Sequence, residues 1–132
     1  MYRRFVQFLV CAATVVSAEG IGAVMPGIPQ DAREIIERVH NAASKMDYAT
    51  LRTLMAREFQ WSFGGDEDAD QALEAWKKDA KYLRNLKRVT SERCAFITRE
   101  IIECPASAGV HFRAGFEKTR SGWRMRYFVA GD

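Results

Sequence analysis

Few residues in this 132-residue chain are of types and spacings that could do chemistry. Cys94 and Cys104 stand out. They are ten apart and form an even pair once Cys11, which lies in an apolar N-terminal run, is set aside. In an oxidising compartment such a pair is most simply a disulfide. Zinc would need two more ligands, and only His40 and His111 are on hand, so no metal centre is expected. His40 borders an apolar helical stripe near Ile36 and Ala43. As a general base it would need a partner such as Asp47 or a strand tyrosine across a pocket. Isomerase-type proton transfer sets an acidic base beside a phenol donor, for which the chain offers Asp47, Tyr48 and Tyr127. His40 and Asp47 are therefore the catalytic candidates. Against them, a histidine at a helix edge more often packs than reacts, and no spacing matches a catalytic motif. There is no nucleophile elbow and no Gly-rich phosphate loop, so no cofactor is expected and enzymatic activity is unsupported.

Two charged runs invite stronger claims. Asp66, Asp68 and Asp70 mimic the first ligand positions of a calcium loop, but Gln71 stands where that loop needs Gly and Lys77 where it needs Glu. An acidic helix start with Asp68 as N-cap is the better account. Lys77, Lys81, Arg84 and Arg88 fall at helical spacing, with Lys78 and Lys87 beside them. Such a stripe could dock an acidic partner or an anionic envelope surface, although a solvated helix face is the ordinary outcome.

The elements that must position these residues follow from periodicity. Ala32, Ile35, Ile36, Val39, Ala42, Ala43 and Met46 make one helical stripe with Asp31 as its N-cap, and Leu51, Leu54 and Met55 make a second, shorter one. Glu58 to Phe63 alternates polar and aromatic residues as a half-buried strand that Gly64-Gly65 ends. Ala72, Leu73, Trp76, Ala80, Leu83 and Leu86 predict a third helix running to about Lys87. Cys94–Thr98 and Ile101–Cys104 flank a bend; centred on Arg99, it sets the two cysteines opposite one another. Residues 109–118 and 123–130 form a second hairpin. Its apolar faces coincide if Phe116 pairs with Met125, Ala114 with Tyr127 and Phe112 with Val129, which also sets Glu117 opposite Arg124. In that register Arg113 and Tyr127 lie on opposite faces. Trp61, Trp76 and Trp123 each sit on a core-directed face.

The N-terminus carries Arg3-Arg4, an uncharged run from Phe5 to Val16, and small residues at Val16 and Ala18. These are the three parts of a secretory signal peptide, so residues 1–18 are expected to be removed, with a periplasmic or secreted product. The apolar run is shorter than the about 20 residues a membrane span needs. A mobile lead-in over residues 19–30 and a single domain over 31–132 complete the organisation. Loss of Arg3 and Arg4 leaves 18 basic against 17 acidic residues, a balance that calls for neither nucleic acid nor a membrane surface.

Two helices, an aromatic strand, a third helix and a closing antiparallel meander give an α+β order. Asp47-Tyr48-Ala49-Thr50-Leu51, Leu54-Met55, Glu58-Phe59-Gln60-Trp61 and the closing Gly122-Trp123-Arg124-Met125 with Tyr127-Phe128-Val129 resemble the nuclear transport factor 2-like superfamily, which includes ketosteroid isomerases and polyketide cyclases. The resemblance implies N-terminal helices packed on a curved antiparallel sheet, a cone-like roll around a pocket. A small barrel resembling Src-homology-3 domains is the alternative for the C-terminal half. Such pockets host isomerases, dehydratases, binding modules and assembly interfaces, so the fold names no function. The expectation is an exported, non-catalytic domain that binds a small ligand or a protein partner, with an apolar pocket lined by Trp61, Phe63, Trp76 and Phe112. The alternatives are a cofactor-independent pocket enzyme and a homodimer formed through the sheet. The export reading is checked by intact mass of protein purified from a bacterial envelope. The expected mass lacks residues 1–18 and the hydrogens lost in one disulfide; an unprocessed mass refutes it.

Overall fold

The computed structural model describes residues 27–63 and 67–131, so the signal segment and most of the lead-in lie outside the described residues. Helix α1 (Gln30–Ser44) begins one residue ahead of Asp31. Asp31 is in the first turn, where its carboxylate accepts the Ala32 N–H at 2.9 Å, and Pro29 occupies the cap. Ala32, Ile36, Val39, Ala42 and Ala43 are buried on one face, as the stripe requires. Helix α2 (Tyr48–Leu54) follows, and Met55 belongs to the strand β1 (Met55–Gln60) instead of the helix.

The single long third helix expected from the apolar stripe is two helices, α3 (Ala69–Lys78) and α4 (Lys81–Ser91). Asp79 breaks them: its backbone is extended (φ −142°, ψ 108°), and its side chain accepts the Lys81 N–H at 3.0 Å. A short carboxylate that satisfies a backbone donor locally competes with helix continuation. The stripe survived the break because Trp76 and Leu83 are seven residues, about two helical turns, apart, while Ala80 between them is exposed. Helix α4 packs its buried Leu83, Leu86 and Val89 along α1.

The remaining strands are β2 (Ala95–Phe96), β3 (Ile101–Cys104), β4 (Arg113–Thr119) and β5 (Gly122–Val129). They build a sheet of order β1-β5-β4-β3-β2. The meander is antiparallel as expected, but β1 runs parallel to β5, so the sheet is mixed. The parallel ladder is irregular between Met55 and Gln60, and the alternation after Gln60 lies beyond it. Trp61 and Phe63 are therefore outside the strand that sequence alternation assigned them. The β2–β3 register pairs Ala95 with Glu103 and Phe96 with Ile102, the bend centred on Arg99. It brings Cys94 and Cys104 to a Cα–Cα distance of 4.4 Å in a disulfide.

A bulge in the last hairpin corrects its expected register. Glu117 faces Arg124 and Phe116 faces Met125, as alternation requires, but Gly115 then faces Tyr127 and Ala114 faces Phe128. Arg126 is the extra residue, and beyond it every β5 side chain changes face. Phe128 points into the core in place of Tyr127, and Arg113 pairs with Val129 where Phe112 was expected. Tyr127 and Arg113 consequently share the outer face. The Tyr127 ring lies on Gly115: a Cβ built there would come within 2.1 Å of the ring. Gly115→Ala is accordingly expected to destabilise the domain by about 1–3 kcal/mol, the range for forcing a group into packed space. Urea unfolding measures this, and Tyr127→Ser in the same chain should recover part of the loss. An unchanged midpoint for the single variant contradicts the close packing.

Candidate functional site

Both catalytic candidates are held in structural roles. Asp47 caps α2, one carboxylate oxygen accepting the Thr50 N–H at 3.0 Å and the other the Thr50 hydroxyl at 2.6 Å. The Thr50 hydroxyl first, then its N–H, hold the Asp47 carboxyl below the ordinary carboxylate range; Lys45 adds a smaller pull, and partial desolvation opposes all three. A carboxylate whose proton affinity is lowered this way is a poor base near neutrality. His40 Nδ1 lies 3.0 Å from the Lys87 carbonyl oxygen and 3.1 Å from the Thr90 hydroxyl. The carbonyl can only accept, so Nδ1 carries a proton and donates it to α4. Thr90, one of the few polar residues in the core, gives its own hydrogen to the Leu86 carbonyl at 2.7 Å. His40 thus ties α1 to α4, and no hydrogen bond joins it to Asp47.

The aromatic residues expected to line one pocket are divided by the fold. Trp76 is fully buried, edge-on to Phe59 at 5.7 Å and to Phe128 at 5.6 Å. Phe112, half-buried, stacks on Phe128 at 5.1 Å and meets Tyr82 edge-on at 6.1 Å. Trp61 packs partly buried against the core, while Phe63 is 47% exposed with the Arg113 guanidinium 5.7 Å over its ring. Trp76 is enclosed by its neighbours while Phe63 lies at the surface, and among the described residues the four do not line one concavity. Asp68 caps α3 through the Asp70 and Gln71 N–H groups, and Asp70 pairs with Arg52 at 2.7 Å, so both belong to the helix start. The basic stripe is solvent-facing across the two helices. Lys77 is matched by Glu74 at 2.9 Å, Lys81 by Asp79 at 3.4 Å and Arg88 by Glu92 at 3.0 Å.

A concavity among the described residues lies elsewhere, between α4 and the β3–β4 loop (residues 105–112), with a volume of about 540 Å³. Asn85, Arg88 and Glu92 form its polar wall; Ala108, Val110, Phe112 and Ala130 form an apolar floor and rim, and Ser107 and His111 lie among them. That size falls in the range of small-molecule sites. The loop is braced from several sides. The Ala106 N–H bonds to the Arg93 carbonyl at 2.8 Å, and the Gly131 N–H to the Val110 carbonyl at 2.7 Å. Arg113 donates to the carbonyls of Gly109 (3.1 Å), His111 (3.2 Å) and Gly131 (3.1 Å). Gly109 adopts φ +58°, a conformation side chains disfavour. The disulfide joins the residue after Arg93 to the last residue of β3, at the base of the loop. Two other concavities are shallower: one between α3 and α4, beside Gln71, Lys78 and Tyr82, and one at Phe96–Arg99 on the β2–β3 tip. Sequence reasoning noted Arg88 and His111 separately, one as a helix charge and one as a strand residue. Nothing in their spacing brings them to one groove.

On the outer sheet face Tyr127 donates to the Glu103 carboxylate. Burial first, and then the bond to Glu103, push the phenol well above the usual tyrosine value, with Arg113 opposing. This pairing is a phenol beside a carboxylate, but on the face away from the helices and outside any concavity that encloses a substrate.

Four helices on one face of a five-stranded mixed sheet define an α+β domain of the helix-backed, bulged-sheet kind. No family model matches this chain, and no curated protein does. Among solved structures it is similar to a nuclear transport factor 2-like protein of unknown function from Shewanella oneidensis, at 13% identity and TM-score 0.47, covering 77% of this chain and 97% of that one. It is also similar to a protein from Shewanella frigidimarina provisionally described as a ketosteroid isomerase, at 14% identity and TM-score 0.47, covering 78% and 96%. A third is a nuclear transport factor 2-like protein with a cystatin-like fold from Novosphingobium aromaticivorans, at 18% identity and TM-score 0.43, covering 75% and 77%. The fold class itself rests on this chain's own element order and sheet topology.

The Tyr127 shift has a consequence for stability. The folded state keeps its phenolic proton after the unfolded chain has released it, so folding binds more protons above the usual tyrosine value and stability falls as pH rises beyond about 10. Urea midpoints measured from pH 8 upward should show this fall in the wild type, and a shallower one in Tyr127→Phe. Equal slopes would show that Tyr127 is not the titrating group.

Proposed function

We propose that this chain is an exported, non-catalytic binding domain whose ligand seats in the groove between α4 and the β3–β4 loop. The observation that carries the proposal is the groove itself: a braced, preformed concavity with a polar wall and an apolar floor. Preformed sites avoid the cost of ordering a loop on binding. Export is supported by the signal-like N-terminus and by the Cys94–Cys104 bond, which suits an oxidising compartment. Among the described residues no helix is long and apolar enough to cross a membrane. The pocket-enzyme alternative loses its two candidate bases to a helix cap and an interhelical pin. Phe116 and Met125 are buried beneath the helices within the single chain, so the helix-covered face of the sheet offers no surface for a second copy.

Nile red, an uncharged dye whose emission rises in apolar surroundings, tests the groove. The dye should brighten with the wild type, and affinity should drop at least about fivefold, near 1 kcal/mol, when the exposed rim residue Val110 is replaced in Val110→Asp. His40→Gln and Asp47→Asn should retain binding. If the signal survives Val110→Asp and disappears in Phe96→Ser, the dye reports the β2–β3 tip and the groove reading is wrong.

A further inference from the structure

Resting on the groove as the binding site, we infer that its ligand is a small amphipathic carboxylate whose acid group is held by Arg88. The Arg88 guanidinium donates through Nη1 to Glu92 at 3.0 Å. Its Nε and Nη2 both point at the single side-chain oxygen of Asn85, at 3.4 and 3.3 Å. Two parallel donors sharing one neutral oxygen at the long end of hydrogen-bond distance are poorly matched. A carboxylate, with two oxygens spaced to meet Nε and Nη2 side by side, forms the stronger bidentate pair at shorter range. Asn85 can yield this edge at little cost, since its amide N–H remains bonded to the Lys81 carbonyl at 2.8 Å.

The local field has the same sign. Helix α4 carries Lys81, Arg84, Lys87 and Arg88 and no acidic residue, and Arg93 follows it. Glu92 and the negative end of the α4 dipole oppose an anion, the dipole by no more than about 1 kcal/mol at an exposed site. Neither Lys87 nor Arg84 lines the groove, but Arg84, one turn ahead of Arg88, forms no ion pair among the described residues and adds positive charge to that stretch of α4. Ser107 and His111 line the groove and make no side-chain hydrogen bond among the described residues, leaving further polar groups for the acid end. The floor of Ala108, Phe112 and Ala130, with Val110 at the rim, suits an alkyl or aromatic tail.

The test is an amide NMR titration of the disulfide-bonded domain with decanoate, and in parallel with 1-decanol, both below their aggregation limits. Decanoate should shift the amides of Asn85, Arg88, Ala108 and Val110 saturably. It should bind at least about tenfold tighter than decanol, the 1.4 kcal/mol of one charge-assisted interaction. Arg88→Gln should remove that preference, while Arg88→Lys should keep part of it; unchanged amides outside the groove would show that each variant is folded. If decanol shifts the same amides with equal affinity, the groove stands and the carboxylate inference falls. If Arg88→Gln binds decanoate as the wild type does, the inference also falls. If neither probe moves the groove amides, the groove reading and the inference fall together.

Discussion

The packing of Trp76 edge-on against Phe59 and Phe128 is the contact on which the rest of the molecule depends. It joins α3, β1 and β5 at one point, and truncating a ring of this kind in a core costs about 3–5 kcal/mol. Tyr82 stacks on Trp76 at 6.3 Å and carries the same cluster to α4. Those rings fill the space between α3, α4 and the sheet around Trp76. Among the described residues, α4 and the β3–β4 loop provide a surface concavity where a ligand could be met.

Phe128 reaches Trp76 only because of the bulge at Arg126. Without the extra residue, Tyr127 would face inward with its hydroxyl in an apolar core, and Phe128 would be displayed to solvent. The bulge exchanges them, so the phenol finds the Glu103 carboxylate on the outer face and the apolar ring is buried. Arg113 lies on that outer face by the alternation of β4, and the bulge brings Tyr127 beside it; the Arg113 guanidinium reaches three loop carbonyls and holds the groove's rim. One inserted residue therefore decides which of the two neighbouring aromatics enters the core.

The groove illustrates how supporting residues differ from those that would touch a ligand. Arg113 and the Cys94–Cys104 bond shape the loop without lining the concavity, while His40 steadies α4 from behind through the Lys87 carbonyl. Arg88 pairs with Glu92 through Nη1, which leaves its Nε–Nη2 edge on the Asn85 side.

Much of the architecture was legible because local physics dictated it. Helical periodicity marked α1 and the apolar face shared by α3 and α4, and the ten-residue cysteine spacing about a bend at Arg99 placed the disulfide. The Phe116–Met125 and Glu117–Arg124 pairs followed from alternation, which holds wherever one sheet face is buried. The break at Asp79 was hidden because two full turns separate Trp76 from Leu83, so periodicity is the same with or without it. The parallel partner of β1, the bulge at Arg126 and the inward turn of Phe128 depend on strands distant in sequence, and no local pattern encodes which of two neighbouring aromatics wins the core. The roles of His40 and Asp47 were likewise decided by tertiary neighbours, Lys87 for the one and the α2 start for the other. The groove belongs wholly to that second kind. It exists because α4 packs beside a loop some twenty residues further along the chain, and only the folded arrangement brings Arg88, His111 and Val110 to one surface.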